Sequence, residues 1–373
     1  MCIIIIVKRL DAVICTRGDI ITIKDVARKA GVSTATVSYV INGSRNVASD
    51  KRQRVLDIIA ETGYQPNTVA KSLRTKKTST IGVLAEDVLA FPTSRIINGI
   101  SEYVEKTDYR ILLGDLRMLD SLYNQYDQVV LQKNKINSEL MFLVYGARVD
   151  AMIYIGMFDR DISGVIPNIN MPVVIAYSTS RDEHTCFVTY ENEKISAQII
   201  SYLINMGHRR IAVINGLADT APAQLRLKGV YEAFKEAELV PDSRMIKNGN
   251  WERDSGYSCM VELLKSEVVP TAVFAMNDLM AIGAMDAARE AGIRVPEDIS
   301  IIGFDNREVS EFVYPRLTTA EIDLKGIGFT AAQIAVENLG GKGQYAGERR
   351  VIIPSNIVMR ETVAPCVGGI IRK

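Results

Sequence analysis

Apolar residues recur every three or four positions between residues 22 and 62, which predicts short amphipathic helices. In the stretch TIKDVARKAGVSTATVSYVIN, Thr22 is an N-cap candidate with Asp25 three residues later, a carboxylate variant of the capping box. Gly31 ends this first helix, and Ser33 caps a second one. The pattern predicts a helix-turn-helix. Three apolar positions of its second helix face inward: Val37, Val40 and Ile41.

A third helix is predicted from about residue 50 to residue 62, so that three helices share one small core. We place Gly63 at its end and four residues on its apolar side: Val55, Leu56, Ile58 and Ile59. The outward face of the second helix is then a candidate DNA-reading surface. A helical hairpin without such a role is the alternative. Candidate DNA contacts are Thr22, Ser33, Thr34, Ala35, Thr36, Ser38, Tyr39 and Asn42.

After residue 80 the pattern changes to short apolar runs that alternate with amphipathic segments, which is typical of a parallel α/β fold. The predicted strands are Ile81–Ala85, Arg110–Leu113, Ala151–Ile155, Val173–Ala176, Arg210–Asn215, Ala272–Ala275 and Ile299–Gly303. The predicted helices cover about 95–106, 192–206, 223–237, 254–265 and 279–291. Ligands of such folds bind at the carboxyl ends of the strands.

The charge of the chain is unevenly distributed along its 373 residues. Residues 1–80 carry 14 Lys and Arg against 6 Asp and Glu, a net charge of +8, which leaves −8 on residues 81–373. A basic N-terminal module on an acidic body is expected when only one end binds the DNA backbone, although a solvated charged face is the alternative.

Other compositional features exclude several classes of site. The five cysteines show no metal-ligand spacing, and their odd number argues against a complete disulfide framework, so we expect reduced thiols in a cytoplasmic protein. Only His184 and His208 are available, which disfavours a histidine metal cluster. The apolar run at residues 2–7 is too short for a signal peptide or a membrane span. We expect no metal, no cofactor and no membrane partner.

The motifs of the common nucleotide-binding and hydrolytic enzymes are missing. No GxGxxG follows a predicted strand, and neither GxxxxGKS nor GxSxG occurs. An enzyme on this α/β scaffold would need a nucleophile and a base, and no such pair stands out. We therefore predict that the chain is not an enzyme.

Residues 22–77 and the pattern of the remaining chain resemble the lactose repressor (LacI/GalR) family of bacterial transcription regulators. The strings that carry this resemblance run in the family's order over about 300 residues: TIKDVARKAGVS, TVSYVIN, YQPNTVAKSL, GHRRIAVI, RLKGVYEAF, FAMNDLMAIGAMDAAREAGIRVPEDISIIGFDN and PRLTTAEID. The resemblance implies an N-terminal helix-turn-helix and hinge helix joined to a two-lobed core similar to periplasmic sugar-binding proteins.

Pro66 stops the third helix, and Asn67 can cap a short new one. By resemblance this is the hinge helix, which pairs with its copy in a second subunit and enters the minor groove. Leu73 is then the apolar wedge that opens a base step. A plain linker is the alternative. The hinge candidates for DNA contact are Asn67, Ala70, Lys71, Leu73 and Arg74.

The resemblance also implies an effector pocket between the lobes. Asp305 ends a predicted strand and can accept hydrogen bonds from vicinal hydroxyls, Arg226 can donate a fork of bonds, and Trp251 can stack on a sugar face. Their ordinary alternatives are a turn residue, a surface charge and a core tryptophan. Asn277 also ends a strand, with Asp278 expected to cap the next helix. On the first lobe the candidates are Glu86, Asp87 and Phe91.

Together these features predict a ligand-responsive homodimeric repressor of a sugar operon that binds operator DNA. A solute-binding protein of a sugar transporter is the alternative. The predicted segments are an extension of unknown role (1–21), the helix-turn-helix domain (22–65), the hinge (66–79), the effector-binding and dimerisation core (80–365) and a tail (366–373). Within the core we expect an N-lobe at about 80–178 and 324–351 and a C-lobe at about 179–323 and 352–365.

Overall fold

The computed structural model describes residues 21–41, 43, 47–65, 77–118, 129–167, 169–183, 185–339 and 350–366. The chain divides between residues 80 and 81 into two compact units. The smaller, N-terminal unit is helical, and the larger unit is α/β.

The smaller unit contains helices α1 (Ile23–Ala30), α2 (Thr34–Ile41) and α3 (Ser49–Thr62). They share one core, as the apolar spacing predicts. Leu56 is an exception: it was expected on the apolar side of α3 but is 42% exposed, because Val55 takes the fully buried position beside it. Tyr64, which follows α3, supplies a further buried side chain. The buried core consists of Val26, Ala27, Ala30, Val37, Val40, Val55 and Tyr64.

The described residues of the larger unit form two six-stranded sheets. The first sheet has the order β11-β5-β4-β3-β1-β2, in which β1, β3, β4, β5 and β11 pair in parallel. Its strands are β1 (Thr80–Ala85), β2 (Arg110–Asp115), β3 (Ala151–Ile155), β4 (Val173–Ala176), β5 (Cys186–Tyr190) and β11 (Arg350–Ile353).

The second sheet has the order β12-β10-β9-β8-β6-β7. All of its neighbours pair in parallel except β10 and β12, which are antiparallel. Its strands are β6 (Ile211–Asn215), β7 (Ile246–Asn248), β8 (Ala272–Ala275), β9 (Ser300–Asp305), β10 (Thr318–Glu321) and β12 (Asn356–Val358).

Helices pack on both sheets. They are α4 (Phe91–Val104), α5 (Val129–Met141), α6 (Asn192–Asn205), α7 (Ala221–Glu236), α8 (Arg253–Lys265), α9 (Asp278–Glu290), α10 (Val309–Phe312) and α11 (Leu324–Asn338). A π-helical turn, Phe142–Gly146, extends α5, and a 3₁₀ turn, Ser243–Met245, precedes β7. Helix α4 packs against α11, α6 against α7, and α8 against α9. We call the parts built on the first and second sheets the first lobe and the second lobe.

In the part of the chain that the structure describes, the strand order gives three passages between the lobes: after β5, after β10 and between β11 and β12. The predicted end of the first lobe at residue 178 is therefore wrong, because β5 pairs with β4 in the first sheet. The later boundary at residue 351 also falls too early, since Ile352 and Ile353 still pair with β5. Strands β5 and β11 lie next to points where the chain leaves the first sheet, and no local sequence pattern shows to which lobe such a strand belongs.

Candidate functional site

The helix-turn-helix geometry of the smaller unit follows from local hydrogen bonds. Thr22 is the N-cap of α1, and both its backbone N and its Oγ1 donate to Asp25 Oδ2, at 3.0 and 2.7 Å. These bonds are the main reason that the pKa of Asp25 is lowered. Gly31 ends α1 in the left-handed region at φ 65°, and Ser33 Oγ accepts from Thr36 N at 3.1 Å at the start of α2. The predicted capping pattern is confirmed.

The outward face of α2 carries the side chains that the sequence singles out for DNA contact. Thr34, Ala35 and Tyr39 are exposed, the last by 55%, while Thr36 and Ser38 are half-buried. This face carries small, mostly polar side chains and one aromatic ring. Thr22 and Ser33 are exposed at the helix starts. The remaining candidates lie outside the described residues: Asn42, Asn67, Ala70, Lys71, Leu73 and Arg74.

The larger unit contains a cleft of about 480 Å³ between the lobes, a volume in the range of small-molecule sites. The first lobe contributes the start of α4 and the segments after β3, β4 and β5, and the second lobe contributes α7 and the segments after β7, β8 and β9. The carboxyl ends of parallel strands thus meet at the cleft. Five of the predicted effector residues line it: Phe91, Arg226, Trp251, Asn277 and Asp305.

Arg226 on α7 lines the cleft, is only 3% exposed and makes several hydrogen bonds. Its Nε donates to Asn192 Oδ1 at 2.8 Å and its Nη2 to Tyr190 OH at 3.0 Å. Its Nη1 donates to the carbonyl of Met276. The guanidinium stacks on the Phe304 ring at 3.6 Å. Arg226 is therefore held between the two lobes, since Tyr190 belongs to β5 and Met276 follows β8.

Asp305, at the end of β9, lies between two guanidinium groups. Its carboxylate is 3.9 Å from Arg226 Nη2 and 3.5 Å from Arg307 Nε. Burial raises the pKa of Asp305, and the two arginines oppose that rise. Its φ of 111° is unusual for a residue with a side chain, and such strain typically marks a functional position.

Arg307 connects the lobes at the cleft, because its guanidinium lies 4.3 Å from the centre of the Phe91 ring at the start of α4. Its backbone N donates to Asp278 Oδ2 at 2.6 Å. Burial and the nearby Asp305 raise the pKa of Asp278 to about 8. The second-lobe wall thus contains the Asp305 carboxyl group and two arginines, with Asp278 buried behind it, a polar environment that suits a hydrogen-bonding ligand.

Trp251 and Asn277 form one wall of the cleft together. Asn277 Nδ2 donates to the Trp251 carbonyl at 2.7 Å, which holds that residue at φ 73°. Trp251 Nε1 is buried and has no hydrogen-bond partner among the described residues. Asn277 Oδ1 accepts from Met280 N at 2.8 Å, so Asn277 is the N-cap of α9. The expectation that Asp278 caps this helix is wrong, because its carboxylate is taken by Thr319 and Arg307.

Two first-lobe candidates do not line the cleft. Glu86 is fully buried and accepts from Tyr154 OH at 2.6 Å, from Met157 N at 2.8 Å and from both Nη atoms of Arg160. Asp87 is buried, and its Oδ1 accepts from Leu89 N at 2.9 Å. Both side chains stabilise the loop after β1, which leads to Phe91. Among the described residues they support the wall rather than form it.

The sequence reading missed several residues of the cleft. Asp159 follows β3, Tyr177 follows β4, and Tyr190 ends β5, and all three line it. Each lies at or just after the carboxyl end of a first-sheet strand, and the rule that ligands bind at the carboxyl ends of parallel strands could have predicted them. Tyr177 and Tyr190 stack on each other at 5.3 Å. Asn192 lies behind the cleft and holds Arg226.

Known protein families match the helical part and the α/β part of the chain separately. Residues 22–67 match the family described as bacterial regulatory proteins, lacI family, and residues 200–363 match the periplasmic binding protein-like domain. The HTH-type transcriptional repressor PurR of Pasteurella multocida is 34% identical over 345 residues, which cover 92% of this chain and 98% of the relative. The chain belongs to the lacI family.

Further relatives and solved structures are similar over most of the chain. The PurR repressor of Vibrio atlanticus is 34% identical over 352 residues, again 92% of this chain and 98% of the relative. The structure of the lac repressor dimer bound to operator and the anti-inducer ONPF has a TM-score of 0.76 and 26% identity, and the match covers 92% of this chain and 99% of that one. The transcriptional regulator CelR–cellobiose complex has a TM-score of 0.63 and 27% identity, covering 91% and 99%.

Membership of the lacI family accounts for the combination of a helix-turn-helix unit with a two-lobed α/β unit in one chain. The predicted fold class is confirmed, with two mainly parallel sheets and an N-terminal helix-turn-helix. Among the described residues, no helix is both long and apolar enough to cross a membrane.

Proposed function

We propose that this lacI-family chain is a ligand-responsive transcriptional repressor, which binds operator DNA through α2 and binds a small effector in the cleft between its lobes. The observation that carries the proposal is the cleft itself, where Arg226 hydrogen-bonds to groups of both lobes and meets Asp305. Among these contacts the bond to Tyr190 joins the two lobes, so a ligand that displaces it would change how the lobes are held together. The PurR relatives, which are named as repressors, support the proposal.

DNA binding is proposed to depend on the basic N-terminal part of the chain and on the outward face of α2. The net charge of +8 on residues 1–80 supports contact with phosphates. The side chains proposed to reach base edges are Thr34, Ala35, Ser38 and Tyr39. From sequence alone, the hinge segment with Leu73 remains a prediction for minor-groove contact. This role places the protein in the bacterial cytoplasm.

For the effector we propose a sugar or sugar derivative. Arg226 and Asp305 supply donors and an acceptor side by side, which matches a pair of neighbouring hydroxyl groups. Trp251 and Phe91 line the same cleft and supply apolar ring surface. The solved CelR complex with cellobiose supports this class, because a protein of similar fold holds a sugar.

A planar heterocyclic base is a second candidate, favoured by the aromatic lining. Phe91, Tyr177, Tyr190 and Trp251 all border the cleft, so a flat ring finds more than one aromatic neighbour. Asn277 and Asp305 supply the polar groups that a base edge requires.

A homodimer is proposed from a surface of the second lobe. Phe312 is 75% exposed and Tyr314 is 90% exposed, and Tyr314 lines a groove together with Ile282 and Val313. An exposed apolar patch of this kind marks a protein interface. The lac repressor neighbour is described as a dimer, which supports the same assembly. We expect sedimentation velocity to give a dimer that Tyr314→Lys dissociates.

A thermal-shift panel of mono- and disaccharides and of nucleobases tests the effector proposal, because a ligand that binds only the folded state raises the unfolding temperature. We expect one class to stabilise the wild-type chain and to lose its effect in Arg226→Gln. Arg244→Gln is the matched control, since Arg244 forms an exposed ion pair with Asp242 away from the cleft. A ligand that stabilises all three proteins equally would place the site elsewhere.

A further inference from the structure

Asp159 has no role in the function proposed above, yet it is 4% exposed and reaches the residue that holds Arg226. It lies in the segment after β3 of the first lobe. Its Oδ1 accepts from Thr189 Oγ1 at 3.0 Å, and its Oδ2 accepts from Asn192 Nδ2 at 2.6 Å. Both carboxylate oxygens therefore accept hydrogen bonds, one from Thr189 in β5 of the first lobe and one from Asn192 at the start of α6.

The bond to Asn192 decides which way the Asn192 amide faces. A side-chain amide has an oxygen on one side and an NH₂ group on the other, and the two are not interchangeable when their partners differ. Asp159 presents an acceptor, so the NH₂ group turns to it. The Asn192 oxygen then faces Arg226, whose Nε donates to it at 2.8 Å.

The orientation of Asn192 in turn fixes the guanidinium. Arg226 has five donors in a planar fork, so the direction of its Nε bond sets where its two Nη groups point. Those groups reach Tyr190 OH and the Met276 carbonyl, one in each lobe. With the Asn192 amide reversed, Nε would meet an NH₂ group, and the buried arginine would lose a partner and move.

We propose that Asp159 is a positioning residue, which locks the Asn192 amide by hydrogen bonding and thereby presents Arg226 to the cleft. This inference rests on the proposed function in one respect, namely that Arg226 contacts the effector. The lock itself exists in the free protein and can be measured without any effector or DNA.

Trp251 provides the measurement, because it is the only tryptophan of the chain and its ring lies 5.6 Å from the Arg226 guanidinium. A cation at that distance interacts with the indole, so displacement of Arg226 changes the emission spectrum. The experiment records the emission maximum and iodide quenching of the full chain without ligand. The variants are Asp159→Leu, Asp159→Asn and Asn192→Ala, with Thr189→Val as the control.

We expect Asp159→Leu to shift the emission maximum and to change quenching, and Asn192→Ala to reproduce that change. Asp159→Asn should keep the wild-type spectrum, because its amide oxygen can accept from Asn192 while its NH₂ group donates to the Thr189 hydroxyl. Thr189→Val should also match the wild type, since it leaves the Asn192 bond in place. The double variant Asp159→Leu/Asn192→Ala should equal either single variant, because both break one chain of bonds.

A wild-type spectrum in both Asp159→Leu and Asn192→Ala would overturn the proposal. A changed spectrum in Asp159→Asn would also overturn it, because the negative charge rather than the hydrogen bond would then position Arg226. If Asp159→Leu does not fold, the smaller Asp159→Ala takes its place, because it also removes the acceptor of the Asn192 amide, and a wild-type spectrum in that variant would overturn the proposal. If instead these spectra agree and Arg226→Gln retains full effector binding, the lock stands and the proposed contact of Arg226 with the effector fails.

Discussion

Replacement of Arg226 by methionine should destabilise the larger unit strongly and in a pH-dependent way. The substitution keeps much of the apolar volume but removes the charge and three hydrogen bonds, to Asn192, Tyr190 and Met276. It also leaves Asp305 buried, and among the described residues the remaining ion-pair partner is Arg307 at 3.5 Å.

The expected magnitude follows from the burial of both partners. Removal of one member of a buried ion pair costs about 3–5 kcal/mol, because the other charge is left in a low-dielectric site. Arg226 opposes the burial that raises the pKa of Asp305. Without Arg226 that pKa rises further, and Asp305 binds a proton more readily. The loss of stability should therefore be largest at pH 8 and smaller at pH 5, where the proton removes the uncompensated charge.

Urea unfolding followed by far-UV circular dichroism at pH 5 and pH 8 measures this difference. The double variant Arg226→Met/Asp305→Asn should recover part of the loss at pH 8, because it removes the charge that the single variant leaves unpaired. Arg244→Met, in an exposed ion pair with Asp242, should unfold like the wild type. A loss below about 1 kcal/mol for Arg226→Met, or an equal loss at both pH values, would refute the reasoning, since a buried pair should behave otherwise.

Three further predictions concern other parts of the chain. The pKa of Asp278 is about 8 in the folded chain against an ordinary value of 3.8, so between these pH values the native state binds a proton that the unfolded state does not, and stability falls as pH rises. In urea titrations between pH 5 and 7, the free energy of unfolding of the wild type should fall by roughly 1 kcal/mol per pH unit relative to that of Asp278→Asn. A difference between the two proteins that does not change with pH would contradict this. Gly283→Ala should destabilise the packing of α8 against α9 by about 1–3 kcal/mol or more, because the added Cβ would lie 2.0 Å from the Arg253 carbonyl oxygen. Calorimetry should show a lower melting temperature for this variant and no change for the exposed control Ser258→Ala, and equal melting temperatures of the two variants would argue against the close approach. Leu73→Ala should weaken binding to operator more than to random DNA in anisotropy titrations, because a wedge acts only where the DNA is kinked; equal losses would remove the wedge role.

Features fixed by neighbouring residues could be predicted from the sequence. Thr22, Asp25 and Gly31 define the limits of α1 through bonds that span three or four residues, and the structure confirms them. The strands Ala151–Ile155, Val173–Ala176 and Ala272–Ala275 have the predicted bounds, because each is a short apolar run between polar segments.

Features fixed by distant residues could not be predicted. Glu86 follows a strand in a position that suits a ligand contact, but Arg160, 74 residues later, takes its carboxylate. The boundary after residue 178 failed for the same reason, since the pairing of β5 with β4 decides it. The partners of Asp159, Thr189 and Asn192, lie about 30 residues away, so its hydrogen bonds could not be predicted although its place after β3 could.

The residues of the cleft that the sequence did find came from the family resemblance. Arg226, Trp251 and Asp305 are ordinary residue types at ordinary positions, and no spacing rule brings them together. The three lie in segments of the second lobe that follow or flank different strands, and parallel pairing of those strands places them on one wall.

The coupling of the cleft to DNA binding is the central claim, and one titration tests it most directly. Operator affinity of the full chain is measured by fluorescence anisotropy, with and without the compound that stabilises it in the thermal-shift panel. The account predicts that the compound changes the Kd of the wild type by about 5- to 150-fold and leaves the Kd of Arg226→Gln unchanged. An operator affinity that the compound does not alter, or alters equally in both proteins, would contradict it.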